Sequence, residues 1–297
     1  MIKMGEYEFG KVSCVIPTFK RSDTLVRAVT SVLNQNYKNI EVIVVDDNNP
    51  NDEYSVETQR KLKNIKDSRL IYIQQKQHIN GAVARNVGIQ EATGEYIAFL
   101  DDDDEWNEEK IRKQISFLNN NPEIQGVSCL YDVKKDGMTI RKCHPYNGKN
   151  LHKKVIDRSV SVFTSTILLR RKALDKSGYF NETLLRHQDL QFLLDFLALN
   201  NMSVLNEYLV TLHADSEMNH PNVNNMIEIK KNFFKVCSNH LKCYNRKEQK
   251  QILDAHYFEI VVTAIRQREW GTGIKYIKKI GVNPKAYLNV INRWRKR

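Results

Sequence analysis

Glycine and proline are scarce, 12 and 6 in 297 residues, which excludes collagen-like and low-complexity chains. No stretch approaches the ~18–20 apolar residues of a membrane span. Met1–Gly10 carries two glutamates and no long apolar run, so it reads as no signal peptide. The five cysteines (Cys14, Cys129, Cys143, Cys237, Cys243) are odd in number and lack zinc-ribbon spacing. Small thiols in a reducing cytosol suit them better than a disulfide framework. Two glycine signatures are missing as well. No Gly-x-x-x-x-Gly-Lys-Ser/Thr occurs, and no Gly-x-Gly-x-x-Gly follows the first apolar run, which argues against a P-loop and a dinucleotide cofactor.

What is present is a globular composition, 41% hydrophobic and 27% charged. The net charge is +11, and it is unevenly spread. Residues 221–297 hold 17 Lys and Arg against 5 Asp and Glu, a net +12, so the first 220 residues sum to −1. The chain ends Arg293-Trp294-Arg295-Lys296-Arg297. A basic region interleaved with Phe233, Phe234, Tyr276 and Trp294 suits an anionic membrane surface. A merely solvated basic face or an oligomer contact suits it too. It shows no zinc-finger or RNA-binding signature, so nucleic acid is not expected.

The periodicity alternates strand and helix. Val12–Ile16 is a short β-branched run ended by Pro17, with Ser22 a plausible cap of the next helix. Leu25, Ala28, Val29, Val32 and Leu33 form one helical face. Ile40–Val45 and Leu70–Ile73 read as strands, and Asp46–Asn51 is turn chemistry. Gly81–Ala92, opened by Asn80, reads as a helix, then Tyr96–Leu100 as a strand and Asn107–Leu118 as a helix. Val127–Val133 and Phe163–Leu169 look like strands, and Leu190, Leu193, Leu194, Leu197 and Ala198 mark another amphipathic helix. Beyond His220 the pattern is helical and basic. This predicts an α/β fold with a mostly parallel sheet flanked by helices over 1–217, and a basic helical region over 218–297.

The unusual polar residues cluster at predicted strand ends. The first strand runs into Pro17-Thr18-Phe19, the second into Asp46-Asp47-Asn48, the fourth into Asp101-Asp102-Asp103-Asp104. Ligands of open parallel sheets sit outside the carboxyl ends of the strands. Acidic clusters at one edge repel, so they require a cation or many donors. Mg²⁺ and Mn²⁺ are bound by one or two carboxylates and completed by substrate phosphates. The edge therefore reads as a site for a metal and a diphosphate.

Val12-Ser13-Cys14-Val15-Ile16-Pro17-Thr18-Phe19, Val44-Val45-Asp46-Asp47, Ala84-Arg85-Asn86-x-Gly88 and Gly94-Glu95-Tyr96-Ile97-Ala98-Phe99-Leu100-Asp101-Asp102-Asp103-Asp104 occur in an order that resembles the family 2 inverting glycosyltransferases of the GT-A fold, over about residues 11–215. The resemblance implies a nucleotide-sugar donor, most often a UDP-sugar. It places Pro17, Thr18 and Phe19 along the base pocket, Asp47 on the base edge, and Arg85 near the nucleotide. Asp101-x-Asp103 matches the family's Asp-x-Asp, with Asp103 the metal ligand and Asp101 and Asp102 near the ribose and the Mn²⁺ or Mg²⁺ shell. Asp189 matches the catalytic base of the family's Glu-Asp pair. Gln188 stands where that Glu is usual, a departure from the pattern. His213 matches a histidine that follows the last strand and completes the metal shell or touches the diphosphate. Glu105 and Trp106 face the sugar or acceptor, or Trp106 serves as core.

What this implies is a single displacement with inversion, onto a glycan or polyprenyl-linked acceptor, in bacterial surface polysaccharide or glycoconjugate assembly. The enzyme would be cytoplasmic or peripheral at the inner membrane face. A nucleotidyltransferase ranks lower, because Pro17-Thr18-Phe19-Lys20-Arg21 has no glycine loop. A non-catalytic carbohydrate- or membrane-binding module ranks lower because Asp101, Asp103 and Asp189 are intact.

Overall fold

The computed structural model describes residues 7–146, 148–214 and 221–281. The element order is β1 (Glu8–Thr18), α1 (Ser22–Leu33), β2 (Ile40–Asp46), α2 (Glu53–Leu62), β3 (Leu70–Gln74), α3 (Gly81–Glu91), β4 (Gly94–Phe99), β5 (Glu105–Trp106), α4 (Lys110–Asn120), β6 (Gly126–Lys135), β7 (Met138–Lys142), α5 (Leu151–Ile156), β8 (Leu168–Arg170), α6 (Arg171–Ser177), α7 (Gln188–Leu199), β9 (Met202–His213), α8 (Val223–Val236), α9 (Ser238–Lys242), α10 (Arg246–Arg266) and α11 (Trp270–Ile280). The chain divides into two compact units. One holds Met1–Tyr146, Val162–Glu182 and Leu199–Ser216; the other holds Asn147–Ser161, Thr183–Ala198 and Glu217–Arg297.

The first unit is built on a mixed sheet in the order β3-β2-β1-β4-β8-β6-β9-β5, with β7 on β6. Strands β1, β2, β3 and β4 run parallel, as do β6 and β9. Central parallel strands are covered on both faces and so are apolar throughout. Val12, Cys14, Val15 and Ile16 of β1 are accordingly fully buried. Alternate residues face opposite layers. Val12, Cys14, Ile16, Val42 and Val44 share a core with Leu25, Ala28, Val29, Val32 and Leu33 of α1. Val15 faces the other way, onto α3, where a Cβ on Gly88 would lie 2.4 Å from its Cγ1. The Asn80 side chain accepts from the amides of Ala82 and Val83 and caps α3.

Two local expectations give way. Ser22 is not the cap of α1 but its first residue, and its hydroxyl accepts from Lys61 Nζ at 3.2 Å. Phe163–Leu169 is not one strand. A 3-10 turn occupies Thr164–Thr166 before the three residues of β8. Two of the turn's side chains, Thr164 and Ser165, bond to the aspartates after β4.

The second unit is helical. Asn245 and Glu248 form a reciprocal capping box at the start of α10. Val223, Phe258, Ile260, Val261, Ala264, Tyr276 and Ile280 pack together in its core. A polar chain runs alongside. His240 Nε2 lies 2.6 Å from an Asp195 carboxylate oxygen, and its Nδ1 lies 3.1 Å from His152 Nε2. His152 Nδ1 lies 2.6 Å from the Tyr244 hydroxyl. Trp294 and the basic residues around it lie outside the described residues.

Two outcomes follow. Gly88→Ala should destabilise by about 1–3 kcal/mol through overpacking against Val15, read as a lower urea midpoint at an unchanged m-value; wild-type stability would contradict the packing. Burial, then the neighbouring His240, holds His152 down at about 4 against the usual 6.5. The unfolded chain therefore binds more protons between these values, so the stability contributed by neutral His152 is lost as pH falls from about 6.5 to 4. His152→Gln should flatten that slope in urea titrations. A slope as steep as that of the wild type would show that His152 does not set it.

Candidate active site

Because β1, β2 and β4 are parallel, their carboxyl ends share one sheet edge. Thr18 is in register with Asp46, and Val15 with Phe99. The Leu100 amide donates to the Val15 carbonyl at 3.0 Å, so the chain leaves β4 beside β1 and places Asp101–Asp104 there. The four aspartates alternate. Asp102 and Asp104 are buried, while the Asp103 and Asp101 side chains are 17% and 33% exposed.

Each is matched by donors. Asp102 accepts from the Thr18 hydroxyl at 2.8 Å, the Phe19 amide at 3.3 Å and Arg21 Nη1 at 3.3 Å. Arg21 Nη1 also donates to Asp103 at 2.6 Å. Arg27 Nη2 donates to the Asp103 carbonyl at 2.7 Å. Arg85 reaches Asp101 at 2.5 Å, and its guanidinium lies over the Phe180 ring at 5.4 Å. The Ser165 hydroxyl donates to Asp104 at 2.5 Å and accepts from the Asp101 amide at 3.1 Å. Burial first, and Asp103 next, push the Asp102 carboxyl up to about 7 against the pull of Arg21. Burial and the charge of Asp101 raise Asp104 well above the ordinary carboxylate value. The inward pair thus frames the loop, while Asp101 and Asp103 present their oxygens at the edge.

A flat aromatic slot lies beside the acids. The Phe19 ring stacks on His78, with centroids 3.9 Å apart and planes 16° from parallel. Lys20 Nζ lies over both Phe19 and Tyr54. Asp47 is buried and accepts from Gln75 Nε2 at 2.5 Å and the Ile79 amide at 3.0 Å, with His78 Nδ1 at 2.9 Å from its other oxygen. Burial raises the Asp47 carboxyl. Pro17 sits just before this slot, level with Val45. A planar base sandwiched against Phe19 would meet a carboxylate already fixed in direction.

Thr18, Phe19, Asp47, Arg85, Asp101, Asp102 and Asp103 thus gather at one edge. His213, at the end of β9, meets Glu105 at 3.0 Å. Trp106 is core, 3% exposed, with its indole N–H donated to the Ser165 carbonyl at 2.7 Å. Gln188 and Asp189 open α7 in the second unit, and the Gln188 amide oxygen is buried with no hydrogen-bond partner. Sequence reasoning did not single out Arg21, Gln75, His78, Thr164 or Ser165. Only Arg21 carried a signal, a base two residues beyond Phe19.

Among the described residues, no three His, Cys, Asp or Glu side chains are grouped to hold a metal ion. The donor set instead fits a hard cation taken by one or two carboxylates and completed by phosphate oxygens. The Arg85 Nε is buried without a partner, a donor left over beside Asp101.

The sequence profile described as Glycosyl transferase family 2 matches residues 13–178. The chain belongs to this family. It is 39% identical over 125 residues to the Escherichia coli protein WfaP, named UDP-Glc:alpha-D-GlcNAc-diphosphoundecaprenol beta-1,3-glucosyltransferase, covering 42% of this chain and 47% of that one. The chain spans about half the length of this curated relative, and 21% of an uncharacterised glycosyltransferase of Rickettsia conorii. Staphylococcus aureus TarS 1-349 in complex with UDP-GlcNAc superposes with a TM-score of 0.65 at 18% identity, over 91% of this chain and 82% of that one. The structural likeness shows the GT-A fold.

Removing Arg21 leaves two carboxylates short of a cation. Arg21→Ala should destabilise by roughly 1–3 kcal/mol, the half-exposed end of the range for breaking such pairs. Adding Asp103→Asn should restore part of the loss in a double-mutant cycle. Strict additivity would show that the pair carries no coupling.

Proposed function

We propose that this family 2 chain is a metal-dependent inverting glycosyltransferase that moves a sugar from a UDP-sugar to a hydroxyl of a glycan or lipid-linked acceptor. The observation that carries the reading is the joint placement, at one sheet edge, of the Phe19–His78–Asp47 slot and the outward carboxylates Asp101 and Asp103. A pyrimidine has the size and edge to use Phe19 and Asp47. A diphosphate next to it has the charge to use Arg85 and a cation. Asp103, with Asp101, would hold Mn²⁺ or Mg²⁺, with His213 a further contact to the metal or diphosphate. When bound, such a cation stabilises the charge growing on the departing diphosphate.

The chain's own residues do the rest. Phe19 and Asp47 fix the base, and Asp101 and Asp102 border the ribose side of the edge. Asp189 takes the proton from the attacking hydroxyl as the new glycosidic bond forms and the bond to the diphosphate breaks.

Membrane association is proposed for the basic region. On α11, Trp270, Ile274 and Ile277 are 61%, 55% and 40% exposed, spaced i, i+4, i+7 on one stripe. Lys275 and Lys278 lie beside that stripe, which suits an anionic lipid surface at the inner face of a membrane.

Two outcomes test the reading. Incubation with a panel of nucleotide-sugars should release UDP slowly from one donor, and release should fall by about a hundredfold with EDTA or in Asp103→Asn. Release that ignores both would remove the metal role. Liposomes containing anionic lipid should pellet the wild type but not Trp270→Ala/Ile274→Ala; no lipid-dependent pelleting of the wild type would remove the membrane role.

A further inference from the structure

The second unit buries a charge that the reading above does not use. Lys230 of α8 is 2% exposed. An ammonium is among the groups least often buried without a specific partner. Lys230 Nζ lies 2.9 Å from His187 Nε2 and 3.2 Å from His256 Nδ1, and it ion-pairs with Glu259. Glu259 is held in turn by Arg158 at 3.1 Å.

The proton positions follow from the geometry. His256 is fully buried, and its Nε2 lies 2.9 Å from the Ile156 carbonyl. A carbonyl only accepts, so Nε2 carries the proton. Burial and the charge of Lys230 hold both imidazoles well below their usual value, hence neutral. His256 Nδ1 is therefore a lone pair facing Lys230. His187 Nε2 is likewise an acceptor. Among the described residues, His187, His256 and Glu259 thus each present an acceptor to this ammonium.

His187 has a second peculiarity. Its φ is +63°, a left-handed conformation uncommon for a residue with a side chain. Its carbonyl accepts from the Gln191 amide at 2.9 Å, so it is the residue from which the first turn of α7 springs. A strained backbone persists where its surroundings over-determine it. Here the ring is gripped by α8 and, through Lys230, tied to α10.

We propose that His187 and Lys230 are positioning residues: the buried Lys230–His256–Glu259 cluster grips the His187 ring, fixes the start of α7, and so sets the direction of Asp189 two residues on. This rests on Asp189 being the base. It also gives the buried lysine a task that an apolar residue of the same shape would not perform.

The test uses the full chain with His187→Gly and Lys230→Met. Glycine accepts φ near +63° without strain, so His187→Gly removes the ring and spares the backbone. Lys230→Met keeps the volume, and Glu259 keeps Arg158. Three readouts are taken: hydrogen exchange of the Gln191 amide, UDP release from UDP-glucose and UDP-GlcNAc, and calorimetric affinity for UDP. The expected result in both variants is Gln191 exchange faster by about tenfold and turnover lower by about tenfold or more. UDP affinity should be unchanged, and the loss of turnover should exceed what the lowered Tm from the lost ring accounts for. Wild-type Gln191 exchange in His187→Gly would overturn the proposal. So would faster exchange with full turnover, or turnover that falls only in step with UDP affinity or Tm. Asp189→Asn separates the two claims. If it keeps turnover, the base assignment fails, and Gln191 exchange alone still judges the grip on α7. If it is inactive while His187→Gly is fully active, the base stands and the positioning role falls.

Discussion

Four consecutive aspartates at the end of a buried strand are an electrostatic problem, and much of the first unit answers it. Arg21 and Arg85 supply guanidinium charge, while Thr18, Ser165 and the Phe19 amide supply neutral donors. The answer is asymmetric. Asp102 and Asp104 are sunk and raised in pKa, whereas Asp101 and Asp103 stay at the edge. Arg85 balances the charge of Asp101, and Arg21 that of Asp103. The proposed uptake of a cation and a diphosphate rests on this arrangement.

The aromatic slot has a comparable logic. With His78 lying flat on Phe19, the apolar ring face is covered rather than left to water. His78 also borders Asp47. His78 thus covers both the Phe19 ring face and one oxygen of Asp47. In the second unit, the polar interior plays a different part. The His240–His152–Tyr244 chain reaches α7 at Asp195, and the Lys230 cluster reaches it at His187. One helix is thus gripped by hydrogen bonds at its start and along its length.

The sheet was legible because its strands are apolar on both faces. Val12–Ile16, Ile40–Val45 and Tyr96–Leu100 could hardly be anything else, and the periodic face of α1 is buried to the residue. That Phe19, Asp47 and the aspartates lie together followed from parallel strands sharing one end, whereas Arg85, inside α3, was named only through the family resemblance. Features that depend on distant partners were not legible. Thr164 and Ser165 look like strand residues until Asp101 and Asp104, about sixty positions earlier, draw them into a turn. His78 lies in a polar loop with no pattern, and only the fold brings it to Phe19. Helix α2 buries Ser55, Thr58 and Leu62, a face too polar to register as a stripe. Lys230 looks like one more base in a basic helix. Its burial is decided by His187, His256 and Glu259, which no local pattern connects.

The account stands or falls on whether the edge of the sheet binds a nucleoside diphosphate. The most direct measurement is calorimetric titration of UDP into the full chain with and without Mn²⁺, alongside Phe19→Ala. The account predicts binding that strengthens markedly with Mn²⁺ and is weakened by loss of the Phe19 ring. No UDP binding with Mn²⁺ present, or binding indifferent to both the ion and Phe19, would contradict it.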